Sequence, residues 1–126
     1  MIDKSSIKIL VVEDDPLYGK VYQSKLTKEG YRVTLVNNGK EAVEKAKQEK
    51  PDLVLMDIIM PVMDGFEALK AIKDDNNTKN IKVIMMTNLS QGNDMQKAKE
   101  LGASEYLVKS DISIIDLVEK VNRLFE

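Results

Sequence analysis

Cysteine and histidine are both absent from the 126 residues. Without cysteine there is no disulfide, no thiol nucleophile and no thiolate metal site. Without histidine there is no Ser-His or Cys-His mechanism and no imidazole ligand for a metal. Long apolar runs are missing too. No stretch approaches the roughly 20 residues that span a bilayer, and no amino-terminal segment has signal-peptide character. The cytoplasm is the expected compartment. Neither sign of charge is in large excess, and a net charge of −2 argues against a domain-wide attraction to nucleic acid. What is present, 43% hydrophobic and 32% charged residues, describes a soluble globular chain. One domain with a real core is expected at this length.

Ile7 to Val12 (IKILVV) is almost continuously apolar, as a strand covered on both faces would be. It runs into Glu13-Asp14-Asp15-Pro16, where Asp15 suits a helix cap and Pro16 the first helical position. The helix expected from there to Glu29 has Leu17, Val21 and the Tyr18, Tyr22, Leu26 row on its apolar side, and Gly30 stops it. Tyr31 to Val36 alternates, as an edge strand does. Asn38 to Glu41 (NGKE) resembles a capping box and opens a helix reaching Gln48, with Ala42, Val43 and Ala46 inward. Leu53 to Met56 is a second fully apolar strand. After Gly65 a helix carries Phe66, Leu69, Ala71 and Ile72, and the polar segment 74–80 follows as the expected mobile loop. Ile81 to Thr87 is the fourth strand. Gly92 to Leu101 is a helix stopped by Gly102, and Ser104 to Val108 is a short fifth strand. Ser113 opens the last helix, whose Ile114, Leu117, Val118, Val121, Leu124 and Phe125 stripe has helical spacing.

Strands alternating with helices predict an α/β sandwich around a parallel sheet, with right-handed crossovers restricting its topology. The first and third strands are the most apolar and so the most central, which suits the order 2-1-3-4-5. Ligand sites of such sheets lie at the carboxyl ends of the strands. Glu13 and Asp14 stand there after the first strand, Asp57 after the third, Thr87 at the end of the fourth and Lys109 after the fifth. Two like charges ~4 Å apart repel by about 4 kcal/mol at an effective dielectric of about 20. Three crowded acids therefore need a cation. With no sulfur or nitrogen ligand to offer, the site suits a hard, oxygen-liganded ion that keeps waters, and magnesium is the natural choice. Lys109 supplies a second positive charge. Plainer roles are expected elsewhere: Asp15 and Asp64 as helix caps, the methionines as core filler. Taken singly, a threonine or lysine at a strand end is more often surface decoration.

The stretch Leu53 to Glu67 (LVLMDIIMPVMDGFE) resembles the receiver domains of two-component response regulators, stand-alone chemotaxis regulators included. Their phospho-accepting aspartate sits in a D-x-x-M-P-x-M-D-G motif. Asp57, Met60, Pro61, Met63, Asp64 and Gly65 fill every fixed position of it, and the resemblance runs along the whole chain. It implies a flavodoxin-like, doubly wound (βα)5 three-layer sandwich with a five-stranded parallel sheet in the order 2-1-3-4-5. At this length a single receiver domain over residues 1–126 with no output domain is expected, either a natural single-domain regulator or a piece of a longer one. Asp57 would accept the phosphoryl group. Asp14, Asp57 and the carbonyl of Ile59 would ligate Mg2+ directly, and Glu13 through water. Thr87 maps onto the switch hydroxyl that bonds a phosphoryl oxygen and draws its loop inward. Tyr106 maps onto the switch aromatic that turns from solvent to a buried position. The donor would be a sensor histidine kinase or a histidine phosphotransfer protein, and it must be another protein because this chain has no histidine. Such a domain signals rather than turns over substrate; it catalyses only its own phosphorylation and dephosphorylation. Its output would pass through a phosphorylation-dependent protein-binding surface around the fourth helix, fifth strand and fifth helix. A monomer or a phosphorylation-dependent dimer is expected, with no direct nucleic-acid contact and no membrane insertion.

Three features depart from that pattern. Lys109 is normally followed by proline, often in a cis peptide; here Ser110 follows. A cis bond to serine costs about 3 kcal/mol, so a trans bond with a shifted loop, or a strained cis one, is expected. Asn88 stands where alanine or glycine is usual and could crowd donor entry. Ile59 and Leu89, two residues after Asp57 and Thr87, would flank the phosphoryl group with apolar surface, hinder the attacking water and give a slowly hydrolysing acyl phosphate. Two other functions stay open. An unphosphorylated adapter has no need of three crowded acids. A small-molecule phosphatase or phosphotransferase would often carry a second acid where Ile59 stands.

Overall fold

β1 (Lys8–Val12) and β3 (Leu53–Met56) pair in parallel at the centre of the sheet, Ile9 opposite Leu53 and Val12 opposite Met56. Their apolar runs require this place, because only a central strand of a doubly covered sheet hides side chains on both faces. The computed structural model describes residues 3–89 and 92–126. Outside the central pair lie β2 (Arg32–Val36) on one side and β4 (Lys82–Thr87), then β5 (Glu105–Val108), on the other, in the expected order β2-β1-β3-β4-β5. β2 is only partly buried, in keeping with its alternating sequence and edge position.

The helices divide between the two faces. α1 (Pro16–Lys28) and α5 (Ile114–Leu124) pack with Ile9, Val11, Leu53, Leu55, Ile84 and Met86. α2 (Gly39–Glu49), α3 (Gly65–Asp74) and α4 (Gly92–Glu100) pack with Leu10, Val12, Val54, Met56, Val83 and Met85. Odd and even positions of β1 thus serve opposite faces, as the period of two demands. Asp15, Asn38, Asp64 and Ser113 cap the helices that follow them, and at Asp64 the full capping box with Glu67 forms.

Two details differ from the expectations raised by the sequence, and a third adds to them. Leu17 and Val21 lie outside the apolar side of α1: they are 73% and 37% exposed, and Gly19, Tyr22 and Leu26 face the sheet instead. Both stripes have helical spacing; the sheet selected the one in which Gly19 lets the helix close on Leu35. In α3, Ala68 rather than Ala71 is fully buried. The 74–80 segment, expected to be mobile, carries an anchor that its polarity hid. Thr78 is 1% exposed and its hydroxyl donates to the Ile72 carbonyl at 2.6 Å.

The amino edge of the sheet is held by complete polar pairs. Asp52 accepts the Lys8 amide at 2.8 Å. Glu29 accepts from Lys4 at 3.2 Å and from Asn122 at 3.1 Å, and Asn122 accepts the Tyr31 hydroxyl at 2.5 Å. These bonds tie the ends of α1 and α5 to the strands they cover.

Candidate functional site at the carboxyl edge

Strand register brings the acids together. Val12 is opposite Met56, so the next residues, Glu13 and Asp57, emerge side by side from the two central strands. Thr87 ends β4 opposite Val108, and Lys109 follows directly. Glu13 and Asp57 share the parity of Val11 and Leu55, which lie on the α1 and α5 face, whereas Thr87 has the opposite parity.

Glu13, Asp14 and Asp57 each offer a carboxylate oxygen, and these oxygens lie within 4.8 Å of one another. Lys109 reaches between two of them. Its Nζ donates to Asp57 Oδ2 at 2.8 Å and to Glu13 Oε1, with its own side chain only 3% exposed. The other Asp57 oxygen accepts the Ile58 amide at 2.7 Å. Burial pushes Glu13 up to about 7, against the pull of Lys109 and with the help of Asp57. Burial would lower Lys109, but its bonds and charge contacts with Asp57 and Glu13 outweigh that and raise it. One buried ammonium does not balance three acids. The donor set is all oxygen and its charge is in excess, so it fits a hard divalent cation such as Mg2+.

Glycine and a strained turn hold the loop beyond Asp57. A Cβ on Gly65 would lie 2.2 Å from the Asp57 carbonyl oxygen, and one on Gly39 would lie 2.3 Å from that of Met63. Val62 takes φ +69, and the Met63 amide closes a three-residue turn onto Pro61 at 2.7 Å. A positive φ is costly for a β-branched residue and is tolerated only where the surroundings enforce it.

A sequence model described as the response regulator receiver domain matches residues 9–122. The chain belongs to the response regulator receiver family. Protein PilH of Pseudomonas aeruginosa is 41% identical over 102 residues, which is 81% of this receiver and 84% of that protein. The polar-differentiation response regulator DivK of Brucella anthropi is 33% identical, covering 90% of this chain and 91% of its own. The response regulator PleD of Caulobacter vibrioides is 36% identical over 94% of the receiver, which spans only 26% of PleD's length. In structure, the receiver superposes on the chemotaxis response regulator CheY4 of Vibrio cholerae with a TM-score of 0.85 at 31% identity, covering 93% of this chain and 97% of that one. The receiver domain of the sensor histidine kinase PA1611 of P. aeruginosa, which has a magnesium ion coordinated in its active-site cleft, gives 0.83 at 33% identity, over 93% and 95% of the two chains.

Thr87 is 2% exposed, and its hydroxyl oxygen accepts the Leu89 amide at 3.2 Å. Tyr106 grips the same residue, its hydroxyl donating to the Leu89 carbonyl at 2.5 Å. Tyr106 is half-buried rather than turned to solvent, and burial, then Asp94 and Asp57, push its hydroxyl up to about 12. Ile59 stays 64% exposed in the loop after Asp57. Leu89 packs partly into the α2–α4 side of the core, and Asn88 is exposed. There is no cis peptide among the described residues, so Lys109–Ser110 is trans, and Lys109–Asp111 form a single 3-10 turn. Sequence reasoning missed Tyr18, whose ring centroid lies 4.5 Å from Lys109 Nζ. Its spacing of four from Tyr22 was visible, but that pattern reads equally well as core packing.

Proposed function

We propose that this receiver takes a phosphoryl group onto the Asp57 carboxylate from the phosphohistidine of a sensor kinase or phosphotransfer protein. The phosphorus–nitrogen bond of the donor breaks, a phosphorus–oxygen bond to Asp57 forms, and the leaving imidazole regains its electron pair. One observation carries this reading: Asp57 Oδ2 sits 2.8 Å from a buried lysine ammonium, beside two more carboxylates at the carboxyl edge of the sheet. An acid placed for structure alone has no use for such neighbours.

Asp14, Asp57 and the Ile59 carbonyl would hold Mg2+ directly, with Glu13 acting through water. Bound there, the ion neutralises charge on the transferring group, and such electrostatic stabilisation supplies most of the catalysis in phosphoryl transfer. Lys109 would shift one of its bonds from Asp57 to a phosphoryl oxygen. Thr87 donates its hydroxyl proton to another. Because Thr87 and Tyr106 both hold Leu89, a pull on Thr87 is transmitted to Tyr106 and so to the face formed by α4, β5 and α5. A phosphoryl group brings up to about two negative charges and three acceptors, enough to bias such a loop. The change of surface there would recruit a protein target. The only chemistry required of the chain is its own phosphorylation and dephosphorylation.

Intact mass after incubation with Mg2+ and acetyl phosphate or phosphoramidate tests the reading. Wild type should gain one phosphoryl mass and Asp57→Asn none. No gain in wild type with either donor, or equal gain in both proteins, overturns it. The lifetime of the adduct tests the apolar flank at Ile59: loss within seconds in magnesium buffer would rule out the expected slow hydrolysis.

A further inference from the structure

We infer that Tyr18 is a positioning residue for Lys109, its ring closing the side of the ammonium left open by Glu13 and Asp57 and so aiming Nζ at the acceptor. This inference rests on the reading of Asp57 as the acceptor. Lysine is a point charge on a flexible four-carbon stem, so its direction must be imposed from outside. Here the stem leaves a turn in which Ser110 lacks the fixed φ that a proline would bring. Two of the three Nζ donors are taken by Glu13 and Asp57. The Tyr18 ring lies 4.5 Å from the same nitrogen, within the range of a cation–π contact.

The ring is itself braced. Tyr18 stacks on Tyr22, with centroids 5.8 Å apart and planes 26° from parallel, and Tyr22 is 7% exposed in the core. Asp15 starts α1 with bonds to the Leu17 and Tyr18 amides, which sets the rotation of the first turn. β1, the Asp15 cap and α1 thus hold a π face against the charge that β5 delivers. The ring also excludes water from an ammonium whose side chain is only 3% exposed. The attraction belongs to the ring face, so the tyrosine hydroxyl is not needed.

Three full-length proteins test this: wild type, Tyr18→Phe and Tyr18→Leu, with Tyr18→Met as a second apolar variant should leucine disturb the fold. Phosphoryl uptake from phosphoramidate with Mg2+ is followed by intact mass. Lys109 ε-methylene protons are followed by NMR in the unphosphorylated proteins, where an aromatic ring overhead shifts them upfield. Tyr18→Phe should keep wild-type uptake within about twofold and keep the upfield shift. Tyr18→Leu and Tyr18→Met should slow uptake by about threefold to thirtyfold, the span of a desolvated cation–π contact, and lose the shift. Uptake unchanged in both apolar variants, Tyr18→Phe as slow as Tyr18→Leu, or Lys109 signals that ignore the ring would each overturn the inference. Should wild type itself take up no phosphoryl group, the acceptor reading falls, and the NMR comparison still decides whether the ring holds the ammonium.

Discussion

Two aspartates bracket the same four-residue strand, and they live in opposite worlds. Asp52, before β3, is exposed and accepts one backbone amide, that of Lys8, at 2.8 Å. Asp57, after β3, is 12% exposed in its side chain and shares one buried lysine with Glu13. The amino edge of the sheet links opposite and complementary polar groups, from Lys4 through Glu29 and Asn122 to Tyr31. The carboxyl edge gathers more negative charge than it neutralises. One end holds the fold together, and the other leaves charge in excess, as the proposed cation and phosphoryl group would require.

The widest gap between the two ends should appear at Lys109. Removing one partner of a buried ion pair costs about 3–5 kcal/mol, because the other charge stays buried. Lys109→Ala should fall at the low end of that range, since Glu13 can take up a proton, and Mg2+ should restore part of the loss. Urea unfolding with and without magnesium measures both, and wild-type stability in the variant would contradict a buried, charged Lys109. Next comes Gly65→Ala, whose methyl meets the Asp57 carbonyl oxygen. Overpacking of this kind costs about 1–3 kcal/mol and should displace Asp57, so phosphoryl uptake should drop along with the melting temperature. Gly92→Ala, with nothing among the described residues within 4 Å of the new methyl, serves as its control.

Asp52→Ala should cost about 1 kcal/mol, the worth of one exposed charge-assisted bond, and leave uptake untouched. An uptake defect would mean that the two ends are coupled through β3. The smallest effect belongs to Glu29. Its bonds from Asn122, then Lys4, hold its carboxyl below the usual 4.5. A lowered folded pKa means that the unfolded chain binds more protons, so this contribution is complete above 4.5 and fades as pH falls through the folded value. Glu29→Gln should therefore flatten the acid limb of the stability curve slightly, as followed by thermal melts between neutral and acid pH.

Much of the site could be read along the chain. The D-x-x-M-P-x-M-D-G run marked Asp57, and the fully apolar strands pointed to where Glu13 and Asp14 would meet it. The capping residues Asp15, Asn38, Asp64 and Ser113 were visible because a cap acts within three residues of itself. Leu17 and Tyr18 show where such reading ends. Each belongs to an apolar stripe of α1, and only the shape of the sheet beneath, with Leu35 against Gly19, selected the stripe that turns inward. Thr78 was invisible for a similar reason: its partner is the Ile72 carbonyl at the end of α3, and nothing in a polar run announces a buried hydroxyl.

By itself the sequence determined the alternation of strands and helices, the helix starts and the set of chemical groups at the strand ends. These follow from short-range periodicity and capping, which are complete within a few residues. The tertiary structure alone decided that Lys109 lies between Glu13 and Asp57, that Thr87 and Tyr106 share Leu89, and that Tyr18 covers the lysine. Those pairings depend on strand register and helix rotation, which are settled by packing between segments as far as 96 positions apart.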